Sequence, residues 1–440
     1  MREKKDFFTQ VRKIRYGFLS LGVGLLVLSC ASTPFKAIDS NTQQGDYQNA
    51  LSMVEKDKQK LYSNNSQIVY YLDAGMLNHY MGEYDKSTEL LQEGERAIEE
   101  AYTKSVSQGI ASGLVNDNTK EYAGEDFEDI YINAFNALNY YSKGQLDSAV
   151  VEIRRMNEKL AYLGTKYQDL DKELAEQAQK DGVDPATLIS KFANSALGRY
   201  LGILFHRADG NENGMDVEHR LLLAAFQNAP EIYSFPVPST VEGELKIPAG
   251  KARLNIVGFS GVSPVKKEEV TRIYVDRDTK IKIALPILDM RPSVINRVEV
   301  ILNGDKVNLE PIESIDAIYA ETFKRTINGI RTKTIIRATT KAIAGAAMSK
   351  VGDNVGGTAG GILAVAGLFT KVATEISERA DIRTSRFFPA KAWVTGITVD
   401  PGVHNITVRF CSGDTVIHQE EYELEAKAKG LNLVESFCLK

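Results

Sequence analysis

Apolar residues recur every three to four positions through the first half of the chain, from about Ile38 to Pro230. This spacing places them on one face of an α-helix and therefore predicts a series of amphipathic helices. Three glycine-centred segments interrupt the pattern at Gly45–Tyr47, Gly82–Tyr84 and Gly144–Leu146. Each of these segments is followed, three positions further on, by a small residue, namely Ala50, Ser87 and Ala149.

These segments predict helix–turn–helix units. Glycine suits the left-handed backbone conformation that ends a helix, and the small residue lets the second helix pack closely on the first. The turns lie 37 and then 62 residues apart, and a fourth unit is predicted from Leu201 to Pro230 with a long polar turn at Asp209–Gly214. The arrangement resembles the tetratricopeptide repeat, a unit of about 34 residues. The alternative is an unrelated helical bundle.

We therefore predict a tetratricopeptide-like helical domain over residues 30–232. Repeats of this kind leave a concave surface that binds proteins or peptides. Residues 159–179 form a charged helical stretch within this domain, followed by a stop signal at Asp181–Pro185. We interpret the stretch as a connecting helix with a solvated charged face.

A polar segment inserted between the second and third units, Leu114–Glu128, is the most individual part of the helical half. Acidic residues at the start of a helix stabilise it through the helix dipole, and that is one explanation. The other is a ligand or partner pocket. Its candidate residues are Tyr122, Glu125, Asp126 and Glu128. Glu125 and Glu128 lie three positions apart on one helix face and could form an acid–base pair, but no nearby His, Ser or Cys completes a catalytic site.

Alternation of apolar and polar residues begins after the proline-containing linker 234–240 and predicts β-strands. The predicted strands cover residues 252–257, 270–275, 280–284, 298–302 and 306–309. Asn303–Gly304 marks a hairpin turn between the last two. Between the first two strands, the loop 258–267 carries the paired Lys266 and Lys267. It is interpreted as an exposed hairpin loop, with a phosphate- or carboxylate-binding loop as the alternative.

Strand patterns resume near the C-terminal end of the sequence. They predict strands at 392–399, 404–410 and 431–438, with a hairpin that pairs 415–419 with 421–425. Together the segments 233–313 and 385–440 predict a β-sandwich-like domain. The fold class expected for the whole chain is therefore α+β.

Residues 314–384 interrupt these strands with helical pattern. An amphipathic, basic stretch from Ile315 to Lys341 precedes an uncharged Gly/Ala-rich run at 355–370. The run is shorter than the roughly 20 residues that span a bilayer. Its paired glycines permit close helix packing, so a packed helical hairpin is predicted, with a membrane-inserting or oligomer-forming hairpin as the alternative.

The N-terminus combines a basic head with an apolar run from Tyr16 to Leu28. Val27-Leu-Ser-Cys30 follows, and together these features predict a lipoprotein signal peptide over residues 1–29 with lipid on Cys30. An ordinary signal peptide or an uncleaved anchor is the alternative. Ala31 follows the cysteine where an aspartate would signal inner-membrane retention in enterobacteria-like sorting, which favours the outer membrane, facing the periplasm. Residues 31–40 would act as a tether of about 30 Å at full stretch.

Composition narrows the function classes further. A net charge of −5 and a pI of about 5.8 give no electrostatic footprint for nucleic acid. The five histidines are scattered, with no zinc-site spacing, and no cofactor motif is present. Two cysteines remain after Cys30. In an exported chain Cys411 and Cys438 could form a disulfide, or they could be two buried thiols.

Several short motifs occur in a characteristic order. They are the Cys30 motif, Tyr122–Glu128 ahead of Tyr140, Gly261–Lys266, the Gly/Ala-rich run, Ala380–Arg383 and Pro401–His404. In this order they resemble a family of uncharacterised bacterial lipoproteins with a tetratricopeptide-like N-terminal half. The resemblance covers nearly the whole mature chain and implies a location in the cell envelope. It supplies neither an activity nor catalytic residues.

The function expected from the sequence is that of a lipid-anchored envelope scaffold. The membrane would hold the lipid on Cys30, and a protein or peptide partner would bind the helical repeats. The alternative is a hydrolase of peptidoglycan or polysaccharide, or an activator of one, that uses Glu125, Asp126 and Glu128. Such a carboxylate pair would need burial to raise one pKa toward neutrality.

Overall fold

The structure, a computed structural model, describes residues 33–108, 121–180, 189–274, 280–327 and 379–440, together with residues 182, 184 and 185. Within these ranges the chain is a mixed α+β protein, with helices in its N-terminal part and sheets in its C-terminal part. The signal peptide, Cys30 and the Gly/Ala-rich run at 355–370 lie outside the described residues.

Ten α-helices precede the first strand in the described ranges. They are α1 (Thr33–Gln44), α2 (Tyr47–Lys56), α3 (Lys58–Leu61), α4 (Gln67–Tyr80), α5 (Tyr84–Gln108), α6 (Asp126–Ser142), α7 (Leu146–Lys166), α8 (Gln168–Lys180), α9 (Ala196–Ala208) and α10 (Glu212–Asn228). Of the helices in the described part of the chain, none is both long enough and apolar enough to cross a membrane. Because α1 begins at Thr33, residues 33–40 are helical, and the extended tether expected over residues 31–40 is wrong for that part.

Turns of the same geometry join the two helices in each of four pairs, α1–α2, α4–α5, α6–α7 and α9–α10. The turn glycines Gly45, Gly82, Gly144 and Gly210 have φ values of 82°, 77°, 71° and 73°. In each turn the residue after the glycine donates a backbone hydrogen bond of 2.8–2.9 Å to the carbonyl five residues earlier. This satisfies a carbonyl that the helix end would otherwise leave unpaired. The predicted turn glycines are confirmed.

The small residues predicted after these turns are completely buried. Ala50, Ser87 and Ala149 all have zero exposed surface, as close packing of the second helix on the first requires. The fourth turn differs from its prediction, because α10 begins already at Glu212. Asn211 caps that helix by accepting a hydrogen bond of 2.9 Å from the backbone of Gly214, so the polar residues 212–214 belong to the helix and not to a long turn.

Ten strands are described. They are β1 (Ala252–Ser260), β2 (Val265–Tyr274), β3 (Lys280–Asp289), β4 (Arg297–Leu302), β5 (Asp305–Asn308), β6 (Glu310–Ser314), β7 (Lys391–Val399), β8 (Gly402–Ser412), β9 (Thr415–Ala426) and β10 (Asn432–Cys438). They form two four-stranded sheets, ordered β10-β1-β7-β6 and β5-β4-β8-β9, and the separate hairpin β2-β3. Only the β1–β10 pair is parallel among these ladders.

The hairpin expected between residues 415 and 425 is wrong. Residues 415–426 form one strand, β9, which pairs with β8 along its length with one irregularity near Phe410. No glycine, proline or asparagine lies at the centre of the segment, and Glu420 in that position continues the extended chain. The Asn303–Gly304 turn is confirmed, since both residues have positive φ, 53° and 91°.

Helices and sheet share one hydrophobic core. Phe135 of α6 lies 5.3 Å from Phe259 of β1, and Tyr80 of α4 lies 4.9 Å from Phe437 of β10, measured between ring centroids. A second, smaller core contains Leu254 of β1 and Phe410 of β8, from the two four-stranded sheets. The two halves of the chain are therefore not built around separate cores.

The segment between the halves is packed rather than free. Phe235 and Val237 of the segment interpreted as a linker pack against the main core, and the backbone N–H of Ala196 donates a hydrogen bond of 3.0 Å to the buried hydroxyl of Tyr233 just before that segment. A further helix, α11 (315–327), follows β6. The ring of Tyr319 in α11 lies 4.4 Å from that of Phe127 in α6, so the described part of the inserted helix also packs on the helical half.

The two cysteines in the described part of the chain, Cys411 and Cys438, are buried free thiols. Cys411 lies in β8 and Cys438 in β10, which belong to different sheets. Two buried thiols, rather than the disulfide, are the arrangement of this structure. Burial raises the pKa of each thiol above its ordinary value.

Candidate functional site

The N-terminus of α6 divides the predicted pocket residues between two environments. Tyr122, Glu125 and Glu128 are buried, whereas Asp126 lies at the edge of an open groove. Glu125 precedes the helix, and its backbone N–H donates a hydrogen bond of 2.8 Å to the Glu128 carboxylate one turn later. This capping interaction fixes the position of both acids.

Glu128 fastens α6 to the irregular segment 379–390 of the β half. One of its carboxylate oxygens accepts a hydrogen bond of 2.8 Å from the Tyr122 hydroxyl in addition to the Glu125 amide. The other accepts from the Thr384 hydroxyl at 3.2 Å and from the Ser385 amide. Burial raises the pKa of Glu128, while these hydrogen bonds act in the opposite direction. Both carboxylate oxygens are thus fully engaged.

Glu125 forms a buried ion pair with Lys266, at the beginning of β2. The Lys266 ammonium also donates a hydrogen bond of 3.2 Å to the carbonyl of Arg383. Burial raises the pKa of Glu125 to about 7, although the nearby ammonium opposes the shift. The structure therefore unites two features that the sequence treated separately, the acidic segment and the paired lysines.

The prediction of an exposed loop at 258–267 is therefore wrong for Lys266, although Lys267 is exposed as expected. Residues 261–264 are buried, and Lys266 lies in a strand with its side chain directed inward. Lys267 has a side chain that is 61% exposed and pairs with Asp289 of β3. Successive side chains of a strand point to opposite faces, which separates the two lysines.

Like Glu128, Asp73 of α4 binds the segment 379–390 through its carboxylate, and we call these two sets of contacts the Glu128 clamp and the Asp73 clamp. The Asp73 clamp was not predicted from the sequence. Its carboxylate accepts hydrogen bonds from the Ser385 hydroxyl at 2.9 Å, the Arg386 amide at 2.7 Å and the Tyr62 hydroxyl at 2.9 Å. Burial raises the pKa of Asp73 to about 6. The sequence feature that could have indicated a buried carboxylate is this single acid within the otherwise largely apolar stretch 68–77.

These contacts bear directly on the idea of an acid–base pair. Glu125 and Glu128 are both bonded to protein groups and buried between the two halves, so neither faces the open groove. Asp126 does face it, but Asp126 is bonded to Lys166 at 2.8 Å and to the Tyr167 hydroxyl at 3.1 Å. Among the described residues, no group of three His, Cys, Asp or Glu side chains could hold a metal ion.

An open groove of about 430 Å³ lies between α5, α6 and α7. Ile98, Ile130 and Leu163 provide its apolar lining, and Tyr102, Tyr162 and Tyr167 contribute aromatic rings. The hydroxyls of Tyr102 and Tyr162 are 2.7 Å apart, which links α5 to α7 across the groove. The Tyr162 residue is 50% exposed. The size falls within the range of ligand-binding clefts, about 300–1,000 Å³.

Two ion pairs line the groove. Lys166 bonds to Asp126, and Lys159 bonds to Asp129 at 2.6 Å. Burial alone would lower the pKa of Lys166, but the adjacent Asp126 carboxylate and Tyr167 hydroxyl together outweigh this effect and raise it. The exposed Glu99 adds a further negative charge at the rim. The groove thus offers apolar, aromatic and charged contacts to one ligand.

The solvated connecting helix predicted over residues 159–179 is also wrong in part. The chain forms two helices, α7 and α8, which are separated at Tyr167. Lys159 and Lys166 are largely buried and ion-paired in the groove rather than solvated. The tyrosines of the groove were not singled out by sequence, because one aromatic residue in a charged helix does not reveal which neighbour it faces.

Comparison with known proteins adds no relative. No protein-family model, no curated protein and no solved structure matches this chain. Conclusions about function therefore rest on the sequence and on the geometry of the described residues.

Proposed function

We propose that this protein is a lipid-anchored scaffold of the cell envelope that binds a protein partner through its helical half. The observation that carries the proposal is the tyrosine-lined groove between α5, α6 and α7, which is open, concave and large enough for several side chains of a peptide. In this proposal the lipid on Cys30 holds the protein at the membrane, and the helical half binds the partner.

The four helix pairs with one shared turn geometry support a tetratricopeptide-like array. Arrays of this kind stack consecutive helix pairs and use the resulting concave surface for recognition. The smaller core shared by the two four-stranded sheets supports a β-sandwich-like arrangement in the second half. In the proposal the β half braces the helical array through the clamps at Asp73 and Glu128.

The hydrolase alternative receives less support from the geometry. A glycosidase needs two carboxyl groups that flank a substrate bond. Glu125 and Glu128 are instead occupied by Lys266 and by the segment 384–385. We therefore favour binding over catalysis for this part of the molecule.

Site-specific photo-crosslinking in the full-length protein tests the binding role. A benzophenone side chain is placed at Tyr162, in the groove, or at Val151, which is 48% exposed on the same helix but does not line the groove. We expect a discrete crosslinked protein from position 162 and none from position 151. Equal adducts from both positions would contradict the proposal.

Binding of the captured protein is then measured with purified components. Tyr162→Ala should weaken binding at least tenfold, whereas Val151→Ala should leave it unchanged. Deleting the helices is not a useful test, because the helices and the first sheet share one core. Such a deletion would unfold the remainder and remove every interaction at once.

The lipid anchor has its own test. Radiolabelled palmitate should be incorporated into the wild-type protein and absent from Cys30→Ser, which should leave the membrane fraction. Incorporation into the Cys30→Ser protein, or an unchanged membrane fraction without incorporation, would contradict lipidation at this residue.

A further inference from the structure

A cavity of about 190 Å³ lies beside α1, on a different part of the molecule from the groove. Phe35, Leu61, Val69 and Ile382 give it an apolar wall. The remaining lining residues are Tyr62, Ser66, Lys266, Arg383, Thr384 and Arg386. Three of these residues are cationic, and each is paired with a carboxylate that does not itself line the cavity: Lys266 with Glu125, Arg383 with Asp381 and Arg386 with Asp39.

The apolar wall reaches the surface. Ile382 is 48% exposed, and Phe35 and Leu61 are both partly exposed. The Arg386 guanidinium lies 4.5 Å from the ring centroid of Phe35 and bonds to Asp39 one turn further along α1. Phe35 is therefore a half-buried residue that packs against the edge of the core and lies next to a cation.

The position of this surface along the chain indicates what covers it. Only residues 31 and 32 separate Cys30 from Thr33, where α1 begins. Three Cα–Cα steps span at most about 11 Å. A lipid on Cys30 would therefore bring the membrane surface within about 11 Å of the start of α1, and Phe35 lies only two residues into that helix.

We propose that the surface formed by Phe35, Leu61 and Ile382 lies against the membrane that holds the lipid anchor. Apolar side chains enter the boundary between headgroups and acyl chains, so contact with the bilayer would remove these three side chains from water. The anchor then fixes the orientation of the protein as well as its location. This inference rests on the proposed lipidation of Cys30.

The test uses the full-length lipidated protein reconstituted in vesicles of phosphatidylethanolamine and phosphatidylglycerol. A fluorophore is attached to Ile382→Cys or, as the matched control, to Val403→Cys, which is 63% exposed on β8 and does not line the cavity. A lipid with a headgroup-level spin label quenches fluorophores that touch the bilayer surface. Unsubstituted protein, whose two described cysteines are buried, gives the labelling background.

We expect quenching at position 382 to exceed that at position 403 at least threefold. Equal quenching at the two positions in vesicle-bound protein would overturn the proposed orientation while leaving the anchor intact. Vesicle flotation separates the two ideas, since protein that does not float with the vesicles contradicts the anchor itself.

An Ile382→Glu substitution, with the fluorophore at Lys36→Cys on α1, provides a second readout. Quenching at position 36 should fall at least twofold, and unchanged quenching would contradict a role for Ile382.

Discussion

His79 Nε2 of α4 lies 2.8 Å from a carboxylate oxygen of Glu435 in β10. The imidazole is fully buried, and its Nδ1 lies 2.7 Å from the amide oxygen of Asn139 in α6. With an acceptor at each nitrogen, the doubly protonated ring satisfies both contacts. Burial alone would lower the pKa of His79, but the Glu435 carboxylate and the hydrogen bond to Asn139 together outweigh this effect and raise it. One side chain thus joins two helices to the sheet.

Replacing this histidine should destabilise the protein most at acidic pH. His79→Gln leaves the Glu435 carboxylate without its cation, which should cost roughly 3 kcal/mol. Because the folded-state pKa of His79 is raised, the stabilisation is fully present below the unfolded-state pKa of about 6.5 and is lost as pH rises through the folded value. Urea unfolding at pH 5.5 and pH 9 should show the difference from wild type shrinking. His219→Gln, whose partner Glu242 is exposed, is the control and should have little effect at either pH.

The Glu128 clamp should be essential to the contact between the halves. Glu128→Ala leaves several buried donors without an acceptor, so the free energy of unfolding should fall by about 3 kcal/mol. Equilibrium urea denaturation measures the loss. Glu121→Ala removes an exposed acid from the same segment and should change stability by less than about 0.5 kcal/mol. Similar losses from the two variants would contradict the clamp.

Glu313 of β6 should give the protein a second pH dependence. Its buried carboxylate accepts hydrogen bonds from the Ser195 hydroxyl at 2.7 Å and the Leu197 amide at 3.0 Å, at the start of α9. Burial raises the pKa of Glu313 from 4.5 to about 7. A raised carboxyl pKa stabilises the fold below the unfolded-state value, and this contribution is lost as pH rises from about 4.5 to about 7.

The uncharged variant Glu313→Gln should not lose this contribution. Relative to wild type, its free energy of unfolding should therefore improve between pH 5 and pH 8, by up to about 1.4 kcal/mol for each unit of pKa shift. Unfolding midpoints in urea at the two pH values measure the change. A constant difference between the two proteins across this range would show that Glu313 has an ordinary pKa in the folded state.

The turn glycines should stabilise the fold because they adopt a positive φ, and not because a side chain would lack space. Gly144 has a φ of 71°, and a Cβ atom placed there would meet nothing within 4 Å. Gly144→Ala should therefore cost about 1–2 kcal/mol through backbone strain only. Gly164 lies in α7 without positive φ and with equal space for a Cβ, so Gly164→Ala should stabilise the helix by about 0.5–1 kcal/mol. Thermal unfolding should show these opposite signs.

Local features of this fold could be predicted from sequence. The turn glycines and the small residues after them depend on interactions within a few positions, and so does the Asn303–Gly304 turn. The positions of most strands followed from alternation for the same reason. The continuous β9 was missed because a run of alternating charged and apolar residues does not reveal where a strand should bend.

The candidate site depended on contacts that sequence patterns do not record. Lys266 and Glu125 are 141 positions apart, and Asp73 and Ser385 are 312 positions apart. Each residue alone is an ordinary polar side chain, and only the fold brings it to a buried partner. The groove was missed likewise, because its walls come from three helices whose relative rotation is set by packing.

The parallel pairing of β1 with β10 has a consequence for the order in which the protein can fold. Leu254 of β1 is paired with Asn432 of β10, 178 positions later. Tyr141 of α6 donates a hydrogen bond of 2.9 Å to the carbonyl of Leu431, beside the same late strand. When the chain is synthesised or translocated from its N-terminal end, the faces of α4 and α6 that pack on these strands remain exposed until β10 has emerged. We expect nascent or translocating chains to depend on chaperones throughout that interval, since contacts so distant in sequence form slowly.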